Sequence, residues 1–356
     1  MKIGILTFHC AHNFGAVLQC YALYNILNSM GHNTYIINYR PQYLISPYKP
    51  LSLYWFTPPI YFKQIIKKLL HIHDSIKRAQ KFDSFINKFK TDNLDLNSPV
   101  NDYDAFIFGS DQIWSSKICK GLDHTYFANR PAFKNKLNIA YAASIGNCTL
   151  TDSELYEIKK LVQTNFKYIS VREESLQQVL KSLNIQSRVV LDPTLLLNKK
   201  SFDVIAQKPK EEKYILIYQV YHDKRVREIA QEISKKRQLP IIEISSNAFE
   251  EGNKKVSPED FIGYFKYAQY IVTTSFHGTI FSIIYNKPFY TLSINPVLDA
   301  RSYSILKTIG LLNRLIKSPN EIIDDKEIDY STVNQKLLYE QNLSLNFLQE
   351  SLNNSL

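Results

Sequence analysis

The sequence predicts an α/β fold of two domains, each a parallel sheet covered by helices. Three observations carry this expectation. Short β-rich runs alternate with longer amphipathic runs through most of the chain. At 356 residues the chain exceeds the size at which a single hydrophobic core stops growing, and its 45% hydrophobic content is that of an ordinary globular protein. A polar, lysine-rich join from Asn198 to Lys213 then separates one strand–helix cycle from a second.

Ile3 to Phe8 reads as the first strand, Ala16 to Ser29 as a helix stopped by Gly31, and Tyr35 to Asn38 as the second strand. Residues Pro41 to Pro59 are too interrupted by proline to form an ordinary helix and read as a long aromatic loop. Ile60 to Lys90 has helical apolar spacing, with Lys63, Lys67, Lys68, Lys77, Arg78 and Lys81 on the opposite face. Strands follow at Ala105 to Phe108, Ile139 to Ala143, Tyr168 to Val171 and Arg188 to Leu191, with helices at Asp152 to Gln163 and Glu173 to Leu183. The second cycle runs through strand Tyr214 to Val220, helix Lys224 to Lys236, strand Ile241 to Ile244, helix Pro258 to Tyr267 and strand Tyr270 to Thr274. Ser257-Pro258-Glu259-Asp260 is a helix start, with a serine cap, proline in the first turn and acids against the helix dipole. There is no internal repeat.

The first residues lack a signal-peptide core, and no stretch approaches the ~20 apolar residues of a membrane span. A cytoplasmic protein is expected. Cys10, Cys20, Cys119 and Cys148 form no CxxC pair and read as buried thiols. The net charge of +10 suits nucleic acid, an anionic membrane surface or an anionic small substrate equally well. The basic helical region could touch an anionic membrane surface. A helix packed on its own domain with a solvated lysine face is the preferred alternative.

In open parallel sheets, ligands bind beyond the carboxyl ends of the strands, so chemistry is sought there. After the first strand, His9-Cys10-Ala11-His12-Asn13-Phe14-Gly15-Ala16 places a glycine at a helix amino terminus, a potential anion site with Asn13 and Gly15. His9 and His12 are read as ordinary loop histidines. Gly109-Ser110-Asp111-Gln112-Ile113-Trp114 offers a carboxylate, an amide and an indole, which could read sugar hydroxyls over an aromatic platform. A helix cap from Ser110 or Asp111, with Trp114 in the core, is the plainer alternative. Arg172 could hold a carboxylate or phosphate bidentately, or merely pair with Glu173 or Glu174. Thr273-Thr274-Ser275-Phe276-His277-Gly278-Thr279 puts an imidazole where helix amides point at ligand, so His277 is the best single candidate for a general acid, against a histidine that only caps a turn. No HxxxH-like or paired metal-ligand spacing occurs, so neither metal nor cofactor is expected.

Gly4-Ile5-Leu6-Thr7, Asn13 to Gln19, Gly109 to Trp114, Ala140 to Gly146, Ser170-Val171-Arg172-Glu173, Leu191-Asp192-Pro193-Thr194 and Ser275-Phe276-His277-Gly278, in that order and spacing, resemble the polysaccharide pyruvyl transferase family as far as about Arg314. The resemblance implies a GT-B-like fold in which two Rossmann-type domains with parallel sheets face a central cleft. An acceptor-side domain would span 1–205, with the aromatic and basic insertion at 41–90. A donor-side domain would span 206–320, and a helical tail 321–356. It also implies phosphoenolpyruvate as donor, a sugar or glycan diol as acceptor, and Arg172 and His277 at the donor site. Other branches carry Arg-Leu-His where this chain has Ser275-Phe276-His277; Arg301 is the expected replacement for the missing guanidinium. His277 is assigned as acid or phosphate partner and Asp111 as the group that orients or deprotonates the acceptor. Arg172, Arg301, Ser275, Gly278, Asn13, Gly15, Ser110, Gln112 and Trp114 are assigned to substrate binding.

Two other readings compete. A GT-B glycosyltransferase would use the same cleft for a nucleotide sugar. A non-catalytic glycan- or nucleic-acid-binding protein is suggested by the basic charge and 24 tyrosines, but no nucleic-acid motif occurs and no nucleic-acid partner is expected. The acceptor sugar and the oligomeric state are not legible.

Overall fold

The structure is a computed structural model, described here for residues 1–49, 72–245, 254–322 and 327–353. The first sheet contains β1 (Lys2–Leu6), β2 (Asn33–Ile37), β3 (Thr91–Asp92), β4 (Ala105–Asp111), β5 (Leu137–Ala143), β6 (Tyr168–Val171) and β7 (Arg188–Val189). All are parallel, in the order β3-β2-β1-β4-β5-β6-β7. The second contains β8 (Ile215–Gln219), β9 (Ile241–Ser245), β10 (Tyr270–Thr273), β11 (Phe289–Leu292) and β12 (Leu315–Ile316), also parallel, in the order β12-β11-β10-β8-β9. Both are doubly wound Rossmann-type sheets, so the GT-B-like expectation of two facing parallel sheets holds. Each reverses its strand order once, at β1/β4 and at β8/β10, and such reversals open a crevice at the strand carboxyl ends.

The strands are parallel because helices connect them: α1 (Phe14–Ser29), α2 (Ile72–Ile86), α3 (Asp152–Asn165), α4 (Glu174–Ser182), the single turn α5 (Pro193–Leu196), α6 (Lys224–Arg237), α7 (Pro258–Tyr267), α8 (Phe276–Ile284), α9 (Pro296–Ile309) and α10 (Tyr330–Asn353). Helices on both faces explain why β4 and β8 are buried at every position. The start of α7 is a capping box in which Ser257 and Asp260 each satisfy the other's main-chain N–H.

Among the strand ends that depart from expectation, two bear on the site. Gly109 to Asp111 continues β4 instead of turning away from it. Gly109 has φ of 121°, and a Cβ there would stand 2.1 Å from Tyr141 O, so only glycine lets β4 run on against β5. Ser110 and Asp111 are therefore strand residues and cap no helix. β7 ends at Val189, short of the expected Leu191, because the Leu191 N–H donates to Ser344 Oγ on α10 at 3.0 Å.

The domains share one apolar core. Phe14, in the first turn of α1, stacks on Phe261 of α7 with ring centroids 4.5 Å apart, and Phe82 of α2 lies 5.1 Å from Phe14. Of the basic insertion, residues 50–71, including Lys63, Lys67 and Lys68, lie outside the described residues. Lys77 and Lys81 are exposed, as a solvated lysine face requires, but the helix is not packed on its own domain alone. Arg78 is buried and donates to the His12 carbonyl, while Lys81 and Lys88 reach across to Asp260 and Glu259 of the second domain. The helix binds the two domains together. At the other end α10 begins on the second domain, where Tyr330 Oη donates to Lys287 O at 2.6 Å, and ends on the first, where Phe347 meets Tyr141. No helix among the described residues is long and apolar enough to cross a membrane.

His9, in the loop leaving β1, is fully buried, with Nε2 3.1 Å from Asn38 Oδ1 and Nδ1 3.3 Å from Thr7 O. Burial lowers its pKa to about 4, against partial support from Asn38 and Thr7. The folded state therefore resists protonation that the unfolded chain accepts below pH ~6.5, and stability is lost as pH falls through that window. Urea unfolding at pH 7 and pH 4 should differ by about 3 kcal/mol from this residue alone. His9→Gln should flatten that pH slope; an unchanged slope would show that His9 is not its source.

Candidate active site

The two reversal points face one another, and a small cavity of about 140 Å³ lies between them. Each strand end contributes: Phe8 and Asn13 after β1, Asp111 and Gln112 at β4, Val220 and Tyr221 after β8, and Thr274 to His277 after β10. Thr274 Oγ1 accepts from the Val220 and Tyr221 N–H groups at 3.1 and 3.2 Å and donates to Tyr221 O at 2.9 Å, which fixes the β8 and β10 ends against each other.

Helix α8 starts in this cavity. Ser275 is its cap, with Oγ accepting from the Gly278 N–H at 3.3 Å, while the Phe276 and His277 N–H groups precede the first intrahelical bond. Such a helix start attracts anions through its exposed amides and its dipole. The close fit of α8 on β10 requires glycine at 278, since a Cβ there would meet Thr273 Oγ1 at 2.2 Å.

Below the cavity floor lies a buried charge cluster. Arg172 Nη1 donates to Asp192 Oδ2 at 2.8 Å, its Nη2 stands 3.5 Å from Asp111 Oδ1, and Ser110 Oγ lies 3.4 Å from Asp192 Oδ2. His277 Nε2, from the other domain, lies 3.7 Å from the same Asp192 oxygen, an ion-pair distance without a hydrogen bond. Asp192 Oδ1 accepts from the main chain and hydroxyl of Thr194 at 3.0 and 2.6 Å. Burial alone would raise the Asp192 pKa. His277, Arg172 and Thr194 outweigh it and hold the carboxyl well below the usual range.

Gly15 makes the domain contact possible. A Cβ there would sit 2.0 Å from His277 Nδ1, so the first turn of α1 admits the imidazole only because it has no side chain. Phe276 lies within reach of two guanidinium groups, with Arg172 and Arg301 5.2 and 5.1 Å from its ring centroid. Arg301 is part-buried and lines the cavity, and among the described residues it makes no hydrogen bond or ion pair. Burial, and next the charge of Arg172, weigh against its cation, a penalty that a bound anion would relieve.

The structure thus gathers His277, Asp111, Arg172, Arg301, Ser275, Asn13, Ser110 and Gln112 around one place, in different roles. His277, Asp111, Arg301, Ser275, Asn13 and Gln112 line the cavity. Arg172 and Ser110 lie beneath it, with Arg172 committed to Asp192 and Asp111. Gly15 and Gly278 act by letting other groups approach. Trp114 is a correction: it is 1% exposed, stacked on Phe127, with Nε1 donating to Tyr126 O at 3.1 Å, and so belongs to the core rather than to a sugar platform. His12 pairs with Asp83 and stacks on Phe82, outside the cavity lining. Asp192 was not assigned a site role from sequence. An aspartate before proline after a strand reads as a helix cap, which Oδ1 is; that Oδ2 serves Arg172 and His277 depends on distant contacts. Among the described residues no three His, Cys, Asp or Glu side chains are grouped to hold a metal.

A family model described as polysaccharide pyruvyl transferase matches residues 13–296. No curated protein matches the chain in sequence. Solved structures with a similar course include UDP-GlcNAc 2-epimerase from Neisseria meningitidis bound to UDP-GlcNAc, at 12% identity over 97% of this chain and 94% of that one, TM-score 0.45. Another is a Thermobaculum terrenum O-GlcNAc transferase mutant, at 12% identity over 100% and 67%, TM-score 0.47. A third is E. coli heptosyltransferase WaaC with ADP, at 13% identity over 96% and 100%, TM-score 0.40. Likeness of this degree says nothing about chemistry.

Truncating Asp192 would leave Arg172 buried without its main counter-charge, so Asp192→Ala should cost about 3–5 kcal/mol in denaturant unfolding. The contribution of Asp192 is fully present above pH ~3.9, where the unfolded carboxyl is already ionised, and is lost as pH falls toward its depressed folded pKa. A variant within about 1 kcal/mol of the parent would mean that the cluster does not hold the fold.

Proposed function

Because the chain belongs to the polysaccharide pyruvyl transferase family, we propose that it moves the pyruvyl group of phosphoenolpyruvate onto two hydroxyls of a sugar, forming a cyclic ketal and releasing phosphate. The observation that supports this most is the small cavity between the domains, where the unpaired Arg301 guanidinium and the α8 amides converge on a space suited to a compact, doubly anionic molecule.

In this reading Arg301 and the N–H groups of Phe276 and His277 receive the phosphate and carboxylate of the donor. Arg172 acts from beneath by fixing Asp192 and Asp111. His277, with Nε2 turned to Asp192, serves as proton donor or phosphate partner.

The reaction needs one proton on the donor methylene carbon, which becomes a methyl group and leaves an oxocarbenium-like centre at C2. One sugar hydroxyl adds to that centre and gives up its proton, with Asp111 placed to take it. The C2–O bond to phosphate then breaks, phosphate leaves with the electron pair and the second hydroxyl closes the ring. Its proton departs with the phosphate. Two protons leave the diol; one ends on carbon and one on phosphate, so the exchange balances without an oxidant or reductant. The reading assigns no cofactor, and the acceptor, possible lipid linkage included, is a glycan or its precursor. A cytoplasmic site of action, at or near the inner membrane face, belongs to the same proposal.

The test is phosphate release from phosphoenolpyruvate with a glycan panel, together with a new ketal methyl resonance by NMR. Activity should persist in chelator, and His277→Ala should lower turnover at least about a hundredfold if the imidazole is the acid. A strict requirement for added metal would contradict the cofactor-free reading, and a near-normal rate in His277→Ala would remove the acid role.

A further inference from the structure

A short strap of the first domain walls the small cavity. Beyond β2 the chain runs through the single turns Gln42–Ile45 and Ser46–Tyr48, and Leu44 and Tyr48 both line the cavity. The strap is pinned from outside the cavity lining, because Tyr39 Oη and Tyr43 Oη donate to the same oxygen, Asp123 Oδ2, at 2.8 and 2.5 Å. Tyr48 is thus held in place at the cavity, and none of the roles described above uses it.

We propose that Tyr48 is a further substrate-binding residue of this cavity, its phenol O–H donating a hydrogen bond to an anionic oxygen of phosphoenolpyruvate. The inference rests on the pyruvyl-transfer reading above, and it adds a contact from the first domain to those of Arg301 and the α8 amides, which belong to the second. Two observations about the phenol carry it. The hydroxyl is free: among the described residues it makes no hydrogen bond, whereas the ring alone lies 5.9 Å from that of His12. A phenylalanine would fill the same space without an unmet hydroxyl, so the oxygen itself asks for a partner.

The hydroxyl is also turned inward. Burial raises the phenol pKa, the buried Arg78 guanidinium opposes that rise, and the charges of Asp111 and Cys10 add to it. A group that feels these three residues faces the cavity side of the strap, and a phenol held neutral keeps its proton to donate. The rest of the first-domain wall suits an anion poorly, since Phe8, Ala11 and Ile118 are apolar and Asp111 is negative. Its two carboxamides are oriented by contacts of their own. Asn13 Oδ1 accepts from the Ala16 N–H at 3.2 Å, and Gln112 packs on Gly146, where a Cβ would stand 1.8 Å from its Oε1. The Tyr48 hydroxyl has no such task.

The test is thermal unfolding of the full chain and of Tyr48→Phe across a phosphoenolpyruvate titration, which reads stability and affinity together. Without ligand, the midpoint of Tyr48→Phe should stay within about 2 °C of the parent, because the lost hydroxyl has no protein partner to abandon. The phosphoenolpyruvate concentration that raises the midpoint should be at least about tenfold higher in the variant, as expected for a lost hydrogen bond to a charged group. An affinity equal to that of the parent would overturn the assignment while leaving the pyruvyl-transfer reading intact, and a lowered midpoint at parental affinity would show that the hydroxyl serves the fold instead. A parent protein that does not respond to phosphoenolpyruvate at all would fault the pyruvyl-transfer reading, and this inference with it.

Discussion

The carboxylate of Asp192 is buried between a guanidinium of its own domain and an imidazole of the other, and the arrangement of the site follows from satisfying it. One oxygen is used locally, by Thr194, to start the short turn α5. The other is met by the Arg172 guanidinium at 2.8 Å, with the His277 imidazole 3.7 Å away, because a lone buried carboxylate is strongly disfavoured. Arg172 comes from the end of β6, and His277 from the first turn of α8, so one carboxylate ties a strand end in one sheet to a helix start in the other. The imidazole can reach this place only because residue 15 lacks a side chain.

Around that tie, both domains are held by less directional means. The Phe14–Phe261 stack continues the core through the interface, Lys81 of α2 and Lys88 just beyond it pair with acids that begin α7, and α10 bridges from Lys287 to Leu191. The last contact matters for the site. Ser344 accepts the N–H of Leu191, the residue before Asp192, so the helical tail braces the loop that carries the central carboxylate. With the frame closed in this way, the strand ends at both reversal points confront each other, and the cavity between them holds groups suited to an anion: Arg301, which has no hydrogen bond or ion pair among the described residues, and the first amides of α8.

The alternation of strand and helix was legible because parallel strands buried on both faces are continuous apolar runs, such as Ala105 to Phe108, and because helix starts such as Ser257-Pro258 carry their caps in sequence. β3, β11 and β12 escaped notice: β3 and β12 are two-residue edge strands, and the four residues of β11 follow α8 too closely to stand out from an apolar helix. The convergence of Asp111, Arg172 and His277 could be guessed from their places after strands. Their division of labour could not. Arg172 carries the same local signal as a ligand-binding arginine, yet contacts with residues 20 and 61 positions away commit it to the cluster. Trp114 likewise looked available beside a polar turn, but the partner that buries it, Phe127, belongs to a segment with no sequence signal of its own.

The central claim is that the crevice between the domains receives a small molecule with two anionic groups, and that Arg301 supplies the free charge. Calorimetric titration of phosphoenolpyruvate into the protein and into Arg301→Ala, alongside a panel of nucleotide sugars, tests this most directly. Saturable binding of phosphoenolpyruvate that weakens at least about tenfold in the variant, with no binding of nucleotide sugars, is the predicted result. Tight binding of a nucleotide sugar, or phosphoenolpyruvate affinity indifferent to Arg301, would contradict it.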